Sequence, residues 1–215
     1  MKRRLGILAP PLAVFAAFIG AWYFYSGVIL DETRRKITLP YFHQVIDQSF
    51  LDAENRADLL GALGTSAWIA AIGLTISILL GLTFAVLMSQ AKWIERSFYP
   101  YAVLIQTLPI LALVPMIGLQ FGFGIKARVI VVVIVSLFPI ITNTLFGLKS
   151  ADQGHHDLFT LHGAGRITRL FKLQFPSALP AMFTGFQISA GLAVIGEIVG
   201  GLFFGRGAVD LGNRI

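Results

Sequence analysis

The chain has 215 residues, of which 56% are hydrophobic and 13% charged, and it contains no cysteine. A soluble domain carries about 25% charged residues, so the composition excludes an ordinary soluble globule, and the lack of thiols excludes a disulfide framework or a Cys-based metal or redox centre. The net charge of +6 is spread among connecting segments, which argues for loops facing a membrane surface and against a nucleic-acid groove.

Met1-Lys2-Arg3-Arg4 precedes an uncharged run from Leu5 to Leu30. A secretory signal has an apolar region of about 7–15 residues and a small-residue cleavage site. This run is longer and ends in Trp22-Tyr23-Phe24-Tyr25, an aromatic belt, so it reads as a retained first span. Asp31 to Asp58 is the extended polar stretch, with ten charges of both signs. It reads as a loop outside the cytosol, turning at Leu39-Pro40, with a short interfacial helix presenting Val45, Ile46, Phe50 and Leu51.

Leu59 to Ala91 carries no charge and exceeds the roughly 20 residues needed to cross a bilayer. A second span over Ser66–Met88 is expected, with its lead-in packed on the membrane surface. Gly73, Ser77 and Gly81 recur every four residues, a stripe that admits a close helix neighbour. Ser97 to Ile125 gives a third span, kinked by Pro109 and Pro115, whose freed carbonyls require protein or water as partners. Lys126 and Arg128 mark a short loop. Val129 to Leu148 is a fourth span despite its β-branched start, because a lone segment in lipid satisfies its backbone only as a helix.

Asp157 to Pro180, DLFTLHGAGRITRLFKLQFPSALP, is the polar interruption between the fourth and fifth spans. Arg166, Arg169 and Lys172 lie at helical spacing between a Gly-Ala-Gly break and two prolines. The segment reads as helix, tight bend, second short helix, and then the start of another span. Gly163 is expected to end the first helix in a left-handed conformation, and Asp157 to cap or pair near its first turn. The fifth span runs over about Pro180–Phe204. Gly185, Ser189, Gly196 and Gly200 share one face, expected to pack against another helix, a symmetry mate in the first instance. Glu197 flanks that face near the outer surface, where water reduces the cost of its charge.

The spacing Asp157-Leu158-Phe159, three residues, Gly163, nine residues, Leu173, one residue, Phe175-Pro176 resembles the cytoplasmic coupling loop of permeases in binding-protein-dependent ABC importers. That family's pattern has Glu-Ala-Ala, Gly, Ile and Leu-Pro at these places; Asp stands here for Glu, and Leu-Phe for the two alanines. The run QTLPILALVPMIGLQFGFG is similar to the family's third span, with Gln120 where Trp is usual. Phe138-Pro139-Ile140, Asn143-Thr144 and Gly147 are similar to its fourth. The resemblance covers about Leu59 to Ile215, and it fits the nitrate, sulfonate/taurine, pyrimidine-precursor and riboflavin group.

What the resemblance implies is a type I ABC importer permease: an all-α polytopic membrane protein with five transmembrane helices here and a sixth apparently missing after Ile215. Residues 1–58 would hold the first span and external loop, and 59–215 the permease core with its coupling loop at about 150–180. Asp157, Gly163, Ala164, Arg166, Leu173 and Pro176 would couple to cytosolic ABC ATPase subunits. Gln106, Asn143 and Gln187 are candidates for the translocation path. The further partners implied are a second permease copy, identical or different, an extracytoplasmic substrate-binding protein and the lipid bilayer. The implied location is the bacterial inner membrane, with a cytoplasmic N-terminus.

No Gly-x-x-x-x-Gly-Lys-Ser/Thr phosphate loop occurs, so ATP hydrolysis is expected on a separate subunit. No catalytic, cofactor or metal residue is expected, and adjacent His155 and His156 point apart on a helix. The competing class is an ion-coupled secondary transporter, which would show internal repeats and a mid-membrane carboxylate; neither is visible. The resemblance implies a small organic or anionic solute, and the residues do not say which.

Overall fold

The computed structural model describes residues 2–204. All regular structure among them is helical. The chain divides at Leu60/Gly61 into two compact units.

The first unit opens with α1 (Lys2–Phe24), which continues as a π-helical turn over Tyr25–Ile29. The polar stretch after it is largely helical, in α2 (Glu32–Thr38), α3 (Phe42–Ile46) and a π turn over Asp47–Leu51. The expected connector with one short helix is therefore more ordered than its charge suggested. The aromatic belt explains why. Trp22 donates its indole N–H to the Pro40 carbonyl at 2.9 Å, and Ser26 donates to Leu39 O at 2.8 Å. Tyr23, Tyr41 and His43 stack at 5.5–5.9 Å between centroids. Rings expected at a lipid interface also hold this turn in place.

The second unit contains most of α4 (Ala53–Gln90), then α5 (Lys92–Thr107), α6 (Ile110–Phe121) and α7 (Ile125–Lys149). It continues through α8 (Gln153–Leu161), α9 (Arg166–Arg169), a π turn over Leu170–Gln174, and α10 (Phe175–Phe204). Among the described residues, four helical stretches are long and apolar enough to cross a membrane: Ala9–Ile29, Asn55–Gln90, Ile125–Lys149 and Arg166–Phe204. The pair α5 and α6, bent by 99°, makes a fifth if the two halves are one span.

Three boundaries differ from expectation. The second span is part of one 38-residue helix, with no separate surface lead-in. The third span is broken rather than kinked. Leu108 is extended (φ −69°, ψ 129°) because the ring of Pro109 disfavours the helical region for the residue before it. The second short helix after Gly163 does not stop, since α9, the π turn and α10 follow without a break. Residues 205–215, where an outer loop leading to a sixth span was expected, lie outside the described residues.

α7 is the central helix. Small residues bring two neighbours onto it. A Cβ on Gly73 or Gly81 of α4 would lie 2.4 Å from Val132 or 2.6 Å from Ile140. On α10, a Cβ on Gly185 would meet Pro139 O at 2.9 Å, and one on Gly196 would meet Val132 Cα at 3.3 Å. Close backbone approach of this kind is what small-residue stripes provide where lipid offers no hydrophobic drive between helices.

Candidate functional site

The polar segment after α7 is fixed at each end. Asp152 caps α8 by accepting from the Gly154 amide at 2.7 Å. The cap therefore lies five residues before Asp157, which sits inside the helix and accepts from Gln153 Nε2 at 3.0 Å. A Ser/Thr/Asp/Asn side chain satisfies an orphan amide only from the position before the first turn, and Asp152 holds that position.

Gly163 has φ 65°, as its place after the first helix led us to expect. Its amide donates to Thr160 O at 3.0 Å, and that of Ala164 donates to Phe159 O at 2.9 Å. Those two bonds constitute a Schellman closure. Arg169 Nε then donates to Ala164 O at 3.1 Å, tying the bend to the start of the next helix. The wide turn that follows ends with the Phe175 amide donating to Leu170 O, immediately before Pro176, which has no amide to give.

One face of this segment is anchored. Leu170 and Ala178 are buried with Leu148 and Met182, Leu173 is buried as well, and a Cβ on Gly147 would lie 2.9 Å from the Ala178 backbone. The other face is open. Leu161 is 85% exposed and Ile167 75%. Leu158, Phe159, His162, Ala164, Thr168 and Lys172 line a recess of about 340 Å³. Arg166 and Asp157 are exposed beside it. Of the residues singled out for coupling, Leu173 is buried, and Gly163 and Ala164 belong to the bend.

The three polar path candidates do not converge on a common hydrogen bond. Gln106 and Gln187 are exposed, and Asn143 is half-buried, donating to Pro139 O at 2.9 Å. The packing residues do converge. Ser189 of α10 donates to Ser136 O at 2.7 Å, and Ser136 meets Ser77 of α4 at 2.7 Å between hydroxyls. The face of α10 expected to meet a symmetry mate is occupied by α7 of the same chain.

Glu197 departs furthest from expectation. It is 1% exposed and forms an ion pair with Arg128, also 1% exposed. Arg128 lies in the first turn of α7 rather than in a loop. Gly200 admits it, since a Cβ there would lie 3.4 Å from Arg128 Cα and Cγ. A carboxylate with an internal cationic partner does not need surface water. The sequence signal available was a charge at each of two positions, 69 residues apart, next to small residues.

The sequence of residues 73–215 matches the family described as binding-protein-dependent transport system inner membrane component. The chain is 42% identical over 202 residues to a formylaminopyrimidine transport permease protein, ThiX, of Halalkalibacterium halodurans, covering 93% of this chain and 77% of that one. It is 32% identical over 127 residues to the riboflavin transport system permease protein RibX of Chloroflexus aurantiacus, covering 59% and 47%. A putative aliphatic sulfonates transport permease protein, SsuC, of Escherichia coli is 29% identical over 181 residues, covering 84% and 67%. A solved structure described as an amino acid ABC transporter with histidines superposes with a TM-score of 0.58 at 21% identity, over 75% of this chain and 77% of that chain. That likeness concerns the fold. With a family match across about two thirds of its length and a relative at 42% identity, the chain belongs to the inner-membrane permease components of binding-protein-dependent transport systems.

Proposed function

We propose that this permease is the membrane subunit of an ABC importer, and that its 152–176 segment docks on a separate cytosolic ATPase. The observation that carries the reading is the two-sided build of that segment. Leu170 and Ala178 root it in the membrane helices, while Leu161 and Ile167 stand exposed on a segment that also carries a recess lined by Leu158, His162 and Lys172. Exposed aliphatic side chains on a fixed bend lose apolar surface to water unless a partner covers them. The segment is joined without a break to α10, so force applied to it reaches a span directly. ATP-driven closure of the ATPase would then rock a pair of such permeases, identical or different, between two packings. An external binding protein would deliver the solute, and the N-terminus would lie in the cytosol.

The exposed amides Gln106 and Gln187, with Asn143, suit a small polar organic solute. The relative at 42% identity is named for formylaminopyrimidine transport, which makes a substituted pyrimidine the first solute to test. Co-expression with a candidate ATPase and binding protein, followed by reconstitution, is the decisive experiment. Leu161→Asp and Ile167→Asp are expected to abolish co-purification of the ATPase while the permease still inserts. Solute uptake in the parent should require internal ATP. Uptake driven by an ion gradient without ATP would overturn the importer reading in favour of a secondary transporter. Undiminished ATPase association in both variants would overturn the docking assignment.

A further inference from the structure

α5 is held more loosely than α10. Of its 16 residues only Ala102 is buried, whereas α10 buries ten of its 30. Each end turns on one extended residue, Ala91 (φ −153°, ψ 134°) toward α4 and Leu108 (φ −69°, ψ 129°) toward α6. Along one flank runs an apolar cavity of about 110 Å³, lined by Phe84 and Met88 of α4, Phe98 and Ile105 of α5, and Leu137 and Ile141 of α7 among others. A helix with a cavity on its flank forgoes close contacts there, so it can shift without prising packed side chains apart.

A charged contact joins this helix to α7. Glu95, in the first turn of α5, pairs with Lys149, the last residue of α7. Their side chains are 29% and 45% exposed, and an ion pair so exposed sets a preference without locking it. Lys149 stands at a junction. Two residues before it, Gly147 lies against the backbone of Ala178 in α10. Three residues after it, Asp152 caps α8. The end of α7 is thus fixed to α10 and to the polar segment, and Glu95 ties α5 to that body.

We propose that α5 is a movable link, and that the Glu95–Lys149 pair makes it follow the end of α7. Motion of the polar segment then enters the membrane helices by two routes, directly along α10 and through Lys149 and Glu95 into α5. Glu95 and Lys149 act as positioning residues on the second route. That an ATPase moves the segment rests on the docking reading. The link itself is a property of the permease, and a test on the permease alone lets either idea fail without the other.

The chain has no cysteine, so nitroxide labels can be placed at chosen pairs in the purified full chain in nanodiscs, and their separations read by pulsed electron resonance. Ser97→Cys with Phe146→Cys reports α5 against α7, and Leu179→Cys with Phe146→Cys reports α10 against α7. The native side chains are exposed at all three positions. With Glu95 and Lys149 in place, each label pair is expected to give a single separation. Glu95→Gln and Lys149→Gln should each add a second α5–α7 population and leave the α7–α10 separation unchanged. Glu95→Lys combined with Lys149→Glu should return the α5–α7 pair to one separation. An α5–α7 separation unmoved by both Gln variants would overturn the proposal, as would an exchanged pair that fails to restore it. An equal change between α7 and α10 would mean general loosening, and would overturn it too.

Discussion

Arg128, in the first turn of α7, is ion-paired with Glu197 of α10, and the two side chains are 2% and 1% exposed. Neither charge has water to return to, so removing Arg128 leaves the Glu197 carboxylate buried without its cation, at a cost of about 3–5 kcal/mol. Glu197→Ala and Arg128→Ala are each expected to lower the thermal unfolding temperature in detergent. Arg128→Met combined with Glu197→Leu should recover most of the loss, because a well-packed apolar pair avoids desolvation altogether. Single variants that melt with the parent would show that the pair contributes nothing to stability.

The α7–α10 seam makes a sharper contrast between two glycines of one helix. At Gly185 a Cβ would meet the Pro139 carbonyl oxygen at 2.9 Å, whereas Gly191 has open space within 4 Å. Gly185→Ala is expected to destabilise by about 1–3 kcal/mol through overpacking against backbone. Gly191→Ala should be neutral or stabilising by up to about 1 kcal/mol, the helix propensity difference. Unfolding measured on both variants separates a packing seam from a general need for small residues.

At the polar segment the cap is Asp152 and the helix-interior carboxylate is Asp157. Asp152→Ala should therefore cost about 0.5–2 kcal/mol of local helix stability, and Asp157→Ala only about 0.2–0.5 kcal/mol, the worth of an i,i+4 side-chain pair. Amide exchange across Gln153–Leu161 reads this directly: protection falls strongly in the first variant and slightly in the second.

Gly163 tests the bend itself. Its φ of 65° costs a side-chain-bearing residue about 1–2 kcal/mol. Gly163→Ala should loosen amide protection at Gly163 and Ala164 while leaving the α7–α10 seam intact. Gly163→Val should do so more strongly. An unchanged exchange profile in both would mean that the Schellman closure is not what holds the turn.

Much of this was legible from residue order. Apolar runs located the membrane-crossing helices, and the Gly-Ala-Gly break located the left-handed residue. The stripes at Gly73, Ser77 and Gly81 and at Gly185, Ser189, Gly196 and Gly200 marked faces of close contact. Their common partner was not legible, because a small-residue face states only that something approaches, and α7 is marked as the shared neighbour mainly by Ser136. Arg128 read as a loop cation because its burial depends on a carboxylate 69 residues further on, which no local pattern reveals. The break at Leu108-Pro109 was marked by its proline, yet sequence does not separate a mild kink from a 99° bend, since that choice rests on where α6 finds a surface to pack.

The unbroken run from Arg166 to Phe204 spans 39 residues, about 58 Å at the ordinary rise of a helix, and it meets α7 at Gly147/Ala178, Gly185, Ser189, Gly196, Gly200 and Glu197. Contacts distributed along a shaft behave as a spline, passing on tilt and torque but allowing no slip. Compliance in this half of the molecule must then reside elsewhere. The extended joint at Leu108-Pro109 is a place where the second unit can flex without breaking a helix.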